Sequence, residues 1–217
     1  MKINPSNAAE LFVWTDVDST YEDDFNEWYD REHMAERVAI EGFQWARRYR
    51  STSATARRYL ALYRTENIKT FSTQSYQNAF QNQTNWSNTN FERMTNTNRR
   101  VMHVTHEVGF GNGAAIALIT LDTADFNYKA VNAVIDDITQ IQGVLAVHYL
   151  KPDEALSTPL PSEDPSTRKL EASLVIDTTS QDSAELAAKS ILQQLSLAEE
   201  RAAIFDFMWE LRSEDLS

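Results

Sequence analysis

The sequence has no cysteine, little positive charge, few glycines and no long apolar run, and each shortage closes a class of function. Without cysteine, disulfide bracing, thiolate catalysis, iron–sulfur clusters and zinc–thiolate centres are excluded. Twenty Lys and Arg against 32 Asp and Glu leave a formal net charge of −12. That field repels phosphate backbones and anionic lipid surfaces, so neither nucleic acid nor a membrane is an expected partner. No stretch approaches the roughly 18 consecutive apolar residues of a membrane span. Residues 1–10, with Asn4, Pro5, Ser6 and Asn7, lack the basic and then apolar pattern of a secretory signal. A cytoplasmic protein is the expectation.

What is present is an ordinary globular composition, 42% hydrophobic and 24% charged over 217 residues, enough for one large core or two small ones. Glu10 to Asp16 is aromatic and β-branched and reads as a buried strand. After Asp18, Ser19 and Thr20 the spacing turns helical through Tyr21, Phe25, Trp28, Tyr29, Glu32, Glu36 and Ala39, and Gly42 closes that segment. Strands follow over 43–49 and 58–63, joined by a Ser/Thr/Ala turn. From Thr70 to Asn98, polar residues dominate, yet Tyr76, Phe80, Trp86, Phe91 and Met94 are too many large apolar groups for a free linker, so one or two irregular helices are expected there. Residues 100–108 alternate as a strand with two environments.

Gly109-Phe-Gly-Asn-Gly113 lacks the Lys-Ser/Thr of a phosphate loop and the spacing of a dinucleotide fingerprint, and reads as a link between units. Beyond it the order repeats. A strand over 114–121 precedes a helix marked by Phe126, Ala130, Val134 and Ile138, and a strand over 143–150 follows Gly143. Another strand at 169–176, a helix at 184–195 and a strand at 203–211 complete the set. Strand, helix, strand, strand, helix, strand is the ferredoxin-like order. The fold class expected is therefore α+β, with two ferredoxin-like units in tandem, residues 1–110 and 114–217, covering each other's open sheet faces as an intramolecular dimeric α+β barrel. Further pairing of such barrels into a homodimer stays open. The segment from Pro152 to Pro165, with Pro159 and Pro161, is a long irregular connection, a mobile loop or a lid.

Phe25-Asn-Glu-Trp-Tyr-Asp-Arg-Glu-His-Met-Ala-Glu-Arg37, then Ile40-Glu-Gly-Phe43, the arginine-rich run to Arg50 and Arg58-Tyr-Leu-Ala-Leu-Tyr63 resemble the EthD-like group of the dimeric α+β barrel superfamily over about the first 65 residues. The resemblance implies a cavity between sheet and helices that hosts an apolar or aromatic compound. His33 falls on the histidine of the group's motif, surrounded by Asn26, Trp28, Tyr29 and Glu32. The superfamily spans monooxygenases, cyclases, isomerases, decarboxylating and haem-linked enzymes, so the reaction is not implied. The second half, with Asn127, Tyr128 and Lys129 at its helix start, has no histidine on that helix, which points to one competent cavity.

Projection at about 100° per residue puts Tyr21, Phe25, Trp28, Tyr29, Glu32 and Glu36 on one face and His33 on its shoulder, in a polar stripe with Asn26, Asp30 and Arg37. As catalytic candidates, His33 is the acid or base, since an unperturbed pKa near 6.5 suits neutral pH. Glu32 is a second proton carrier or a substrate anchor, and Tyr29 and Asn26 are donors to a developing enolate. Trp28, Phe25, Trp14, Asp16 and His103 are candidates for binding substrate. The competing reading for each is structural: a surface histidine paired with Asp30 or Glu36, aromatic core residues, and an Asp16 that starts a turn. Arg47, Arg48, Arg50, Arg57 and Arg58 read first as strand arginines paired with acids or solvated, and second as a rim for an anionic molecule. His103 and His106 point to opposite strand faces, and four scattered histidines give no metal set, so no metal and no cofactor are expected. Haem, which needs a single histidine, stays open. Two functions follow: a cofactor-independent enzyme on a small hydrophobic or aromatic carbonyl compound (isomerisation, dehydration, cyclisation or oxygenation), or a non-catalytic binding or accessory protein of a catabolic or biosynthetic pathway.

Overall fold

The computed structural model describes residues 7–52, 57–122, 128–160, 163–164 and 166–216. The turn expected between the second and third strands, Phe126 and Asn127 of the second-half helix, and Pro161 and Pro165 of the long connection lie outside the described residues.

The first half runs β1 (Ala9–Val17), α1 (Glu22–Trp28), a π-helical turn (Tyr29–His33), α2 (Met34–Val38), β2 (Phe43–Ser51), β3 (Tyr59–Thr65), α3 (Gln74–Gln81), α4 (Asn85–Arg93) and β4 (Met94–Gly109). The second runs β5 (Ala115–Leu121), α5 (Tyr128–Ile138), β6 (Val144–Pro152), β7 (Ala172–Thr178), α6 (Gln181–Gln194) and β8 (Ala202–Arg212). Local chemistry sets the boundaries. Asp18, Thr73, Thr84 and Ser180 accept backbone N–H bonds ahead of helical turns. Gly42 and Gly143, at φ +92° and +89°, stand at matching positions just ahead of β2 and β6, in a backbone region that L-residues adopt only with strain. β4 starts at Met94, six residues earlier than the alternation beginning at Arg100 suggests. Its first residues pair with the far end of β1 (Met94 opposite Val17) across a bulge between Trp14 and Asp16, a long-range partnership that no local pattern announces.

All eight strands are antiparallel and close in the order β1-β3-β2-β8-β5-β7-β6-β4. Each half keeps the ferredoxin-like order, its last strand beside its first, and the halves are sewn together by β2 with β8 and β4 with β6. The molecule is thus the α+β intramolecular dimeric barrel that the element order leads one to expect. Alternation then divides the side chains. Phe12, Leu60, Leu62 and Met102 from the first half meet Ile116, Leu118, Val175 and Phe205 from the second inside the barrel. The opposite strand faces carry two separate cores beneath the helices. No helix among the described residues is long and apolar enough to cross a membrane.

One end of the barrel interior is charged. Glu10, fully buried on β1, pairs with Arg64 of β3 at 3.1 Å, and His148 of β6 lies between Glu10 (Nδ1 to Oε1, 3.4 Å) and Glu107 (Nε2 to Oε1, 3.4 Å), with Asp177 at 3.9 Å. Arg64 also bonds Glu107, and Arg47, stacked over Trp45, bonds Glu210 of β8. Burial alone would lower the His148 pKa, but the hydrogen bond and charge of Glu10, with Asp177 behind it, raise it above the ordinary 6.5. A group bound more tightly in its protonated form stabilises the fold fully below its unfolded pKa and loses that contribution as pH rises through the folded value. The stability difference between wild type and His148→Gln, measured by urea denaturation, should therefore be largest below pH 6.5 and shrink as pH rises. A difference that grows with pH would contradict this pairing.

Candidate functional site

The π turn determines what the first helix offers to the sheet. A π turn inserts one residue, which rotates everything after it by about 100° relative to a regular helix. Up to Trp28 and Tyr29, the buried positions follow the α-helical projection. Beyond them, burial shifts by one: His33, Met34, Arg37 and Val38 are buried, while Glu32 and Glu36 are only half-buried. The projection that put Glu32 and Glu36 on the inner face and His33 on a shoulder is corrected by this single insertion. Tyr21, before the turn, is exposed and carries Arg93 over its ring.

His33, 6% exposed, stacks on the Trp28 indole at 4.2 Å between ring centres and stands edge-on to Tyr29, Tyr63 and Phe91. Its Nδ1 is buried with no hydrogen-bond partner. Asp30, a suggested partner, instead accepts from Arg48 at 3.1 Å and from the Trp209 indole at 2.9 Å. The imidazole opens onto a cavity of about 440 Å³. Leu11 and Val13 of β1 with Met94 of β4 form the sheet side of the cavity. Tyr76 and Phe80 of α3 and Phe91 of α4 form the helix side. Arg37 and Arg99 supply the charge within it, and exposed Asn88 and Glu92 stand at its mouth. Burial, then the charges of Arg37 and Arg48, push the His33 pKa well below 6.5, so the ring is neutral at neutral pH. Burial raises that of the Tyr29 phenol, which stays protonated. Such a chamber can hold a flat apolar body, accept a proton or hydrogen bond at a neutral imidazole, and stabilise negative charge on the ligand.

Of the residues singled out from sequence, His33 and Tyr29 come together at this cavity. Trp28 and Phe25 are fully buried behind them; the Trp28 Nε1 donates to Ser87 at 3.0 Å. Glu32 does not line the cavity: it accepts from Thr84 at 2.6 Å and Ser87 at 3.3 Å, clasping the start of α4 to the π turn. Asn26 does not line the cavity: it bridges Arg48 of β2, Tyr59 of β3 and the Glu22 carbonyl. Trp14 points to the barrel interior against Phe12 and Phe205, because strand alternation separates it from Leu11 and Val13. Asp16 pairs with Arg58 at 2.8 Å, and His103 lies away from the cavity beside Asp153 at 3.2 Å. The arginine-rich strand follows its structural reading: Arg47, Arg48, Arg50 and Arg58 pair with Glu210, Asp30, Glu22 and Asp16. The cavity's own cations, Arg37 and Arg99, carry no sequence signal that separates them from surface arginines. Among the described residues, no group of three or more His, Asp or Glu is placed to hold a metal ion.

Among the described residues of the second half, the corresponding space is packed with side chains. Between its sheet and helices, Val131, Ile135 and Ile138 of α5 interlock with Ala184, Ala187 and Ile191 of α6 over Ala117, Ile119 and Leu174, all fully buried.

No protein-family model and no curated protein matches the chain. Solved structures do. A protein provisionally called a monooxygenase from Fusobacterium nucleatum aligns at TM-score 0.57 and 11% identity over 94% of each chain. An anthrone oxidase-like protein aligns at 0.59 and 10% over 98% of this chain and 97% of that one. A second provisional monooxygenase, from Lactobacillus acidophilus, aligns at 0.60 and 9% over 95% and 96%. The likeness is one of fold, the dimeric α+β barrel.

The Glu32 clasp yields a prediction. Glu32→Ala should cost about 0.5–1.5 kcal/mol in urea denaturation, the net range for a typical hydrogen bond, since Glu32 is only half-buried. It should also speed amide exchange across Asn85–Arg93. An unchanged midpoint would show that α4 is held without Glu32, by its apolar contacts and by Asp24, which accepts from Trp86, Asn90 and Arg93.

Proposed function

We propose that the chain is a cofactor-independent enzyme acting on a small aromatic carbonyl compound held in the His33 cavity, with His33 as the proton acceptor. The observation that carries this reading is a buried imidazole with an unpartnered nitrogen, fixed by stacking on Trp28 and opening onto an aromatic chamber. A carbon acid beside a carbonyl needs a base, a place for the enolate charge and an apolar enclosure. His33 supplies the first, Arg37 and the Tyr29 phenol the second, and Leu11, Val13, Phe91 and Met94 the third. Burial and the charges of Arg37 and Arg48 oppose an imidazolium; the positive charge of Arg37 favours the enolate formed in the same step while burial opposes it, so the substrate should be a readily ionised carbon acid such as a ring methylene flanked by aryl and carbonyl groups.

Among isomerisation, dehydration, cyclisation and oxygenation, we favour oxygenation, following the monooxygenase and oxidase designations of proteins sharing the fold. The enolate gives its electrons to dioxygen; one oxygen atom becomes the new carbonyl and the other leaves as water with the two hydrogens of the methylene, which balances without an added reductant. The kinship we propose is with the EthD-like group, and the units we propose are residues 1–110 and 114–217, with chemistry confined to the first. A second reading, a non-catalytic binding protein, is favoured by one observation: the depressed His33 pKa suits a hydrogen-bond acceptor as well as a base.

On an identified substrate, His33→Ala should lower kcat by about 10²–10⁴-fold, the range for loss of a positioned general base, with the far-ultraviolet circular dichroism unchanged. Retained wild-type turnover would remove His33 from the chemistry and leave the binding reading. Because the folded His33 pKa lies below 6.5, the base is already deprotonated through neutral pH. The kcat/KM profile should be flat across pH 6.5 and fall only on further acidification, whereas an acid limb centred at 6.5 or above would contradict the assignment.

A further inference from the structure

Buried arginines elsewhere in this protein are matched with carboxylates: Arg48 with Asp30, Arg64 with Glu10, Arg47 with Glu210 and Arg100 with Glu163. The two in the His33 cavity lack such a close, buried carboxylate. Arg37, 5% exposed, donates to neutral oxygens, the Gln83 amide at 2.9 Å and the Ala79 carbonyl at 3.4 Å. Its Nε is buried without a partner, and the nearest carboxylate, Glu36, stands at 4.0 Å and one-third exposed. Arg99, 4% exposed, donates to the carbonyls of Leu156 and Thr158 and to the Tyr76 hydroxyl, and among the described residues no carboxylate lies within ion-pair distance of it. Glu92, the acid at the cavity mouth, is exposed to solvent.

A buried cation whose carboxylate partner is distant or absent is among the costliest arrangements a fold can hold, since little of its desolvation is returned by Coulombic attraction. Two of them lining one chamber, in a chain of net charge −12 with 32 acids to draw on, mean that the missing anion comes from outside. Polar groups left unpaired at the same place, the Arg37 Nε and the His33 Nδ1, have the same requirement.

We propose that the cavity takes an aromatic ligand bearing an anionic group, a carboxylate or an ionised phenol, with the anion against Arg37 in the field of Arg99 and the rings along Tyr29, Phe80 and Phe91. This rests on the assignment of the cavity as the ligand site, but not on turnover. It narrows the ligand from any apolar aromatic to one that a neutral analogue cannot replace.

Isothermal titration calorimetry of the whole protein with anthraquinone-2-carboxylate, its neutral carboxamide, and 2-hydroxyanthraquinone on either side of its ionisation tests the claim. The carboxylate or the ionised phenol should bind at least about tenfold more tightly than the carboxamide, as a charge-assisted bond in a buried site would give. Whichever of the two shows the preference identifies the anion. Arg37→Gln should abolish the preference and Arg37→Lys should restore part of it. Equal affinity for the charged and neutral probes in wild type overturns the inference, whether or not the variants fold, and so does binding of none of them. Charge preference without turnover on any carbonyl compound would leave this inference standing and remove the enzyme reading. Turnover of a neutral substrate with no charge preference would do the reverse.

Discussion

A four-stranded sheet with helices on one face leaves its other face apolar and open to water, and that constraint organises this molecule. Closing β2 onto β8 and β4 onto β6 buries both open faces at once and removes every free strand edge. Closure also decides where function can sit. The barrel interior is filled by side chains from both halves and, at one end, by the ion network around Glu10 and His148. The His33 cavity lies instead between sheet and helices, on the outside of the barrel.

There the halves part company. In the second, the described small and branched residues of α5 and α6 settle directly onto the sheet as a packed core. In the first, α3 and α4 are inserted ahead of β4 and stand off from the sheet, roofing a chamber that the π turn furnishes with His33. The π turn links the local and the global: it rotates an imidazole and a guanidinium inward and carries Glu32 sideways to clasp α4 through Thr84 and Ser87. The same insertion therefore supplies the site's polar group and ties down its roof.

Much of the fold was legible because it rests on periodicities that a sequence displays. The apolar run over 114–121, alternation over 100–108, glycines ahead of β2 and β6, and the repeated element order are local signals of a global arrangement. The site was legible in part. His33 and Tyr29 stand out on a dense helix, but a wheel at constant pitch cannot register an added residue, so it assigned Glu32 an inner position that the backbone gives to His33. Trp14 was misplaced for a different reason: an aromatic residue on a buried strand is inside on either face, and only closure says which inside it occupies. Tyr76, Phe80 and Phe91 were visibly too apolar for a linker, yet that they line a chamber follows from tertiary packing alone. Arg37 and Arg99 differ from the other arginines in what they lack, and a missing partner leaves no mark in a sequence.

The central claim is that His33 is a neutral, buried imidazole facing a ligand chamber. Nitrogen-15 resonance of the His33 ring across pH, with and without an aromatic carboxylate present, measures this directly. The account predicts a neutral ring at and well below pH 6.5, with ring shifts that move when the ligand is added. A ring that titrates near 6.5 and ignores the ligand would contradict it.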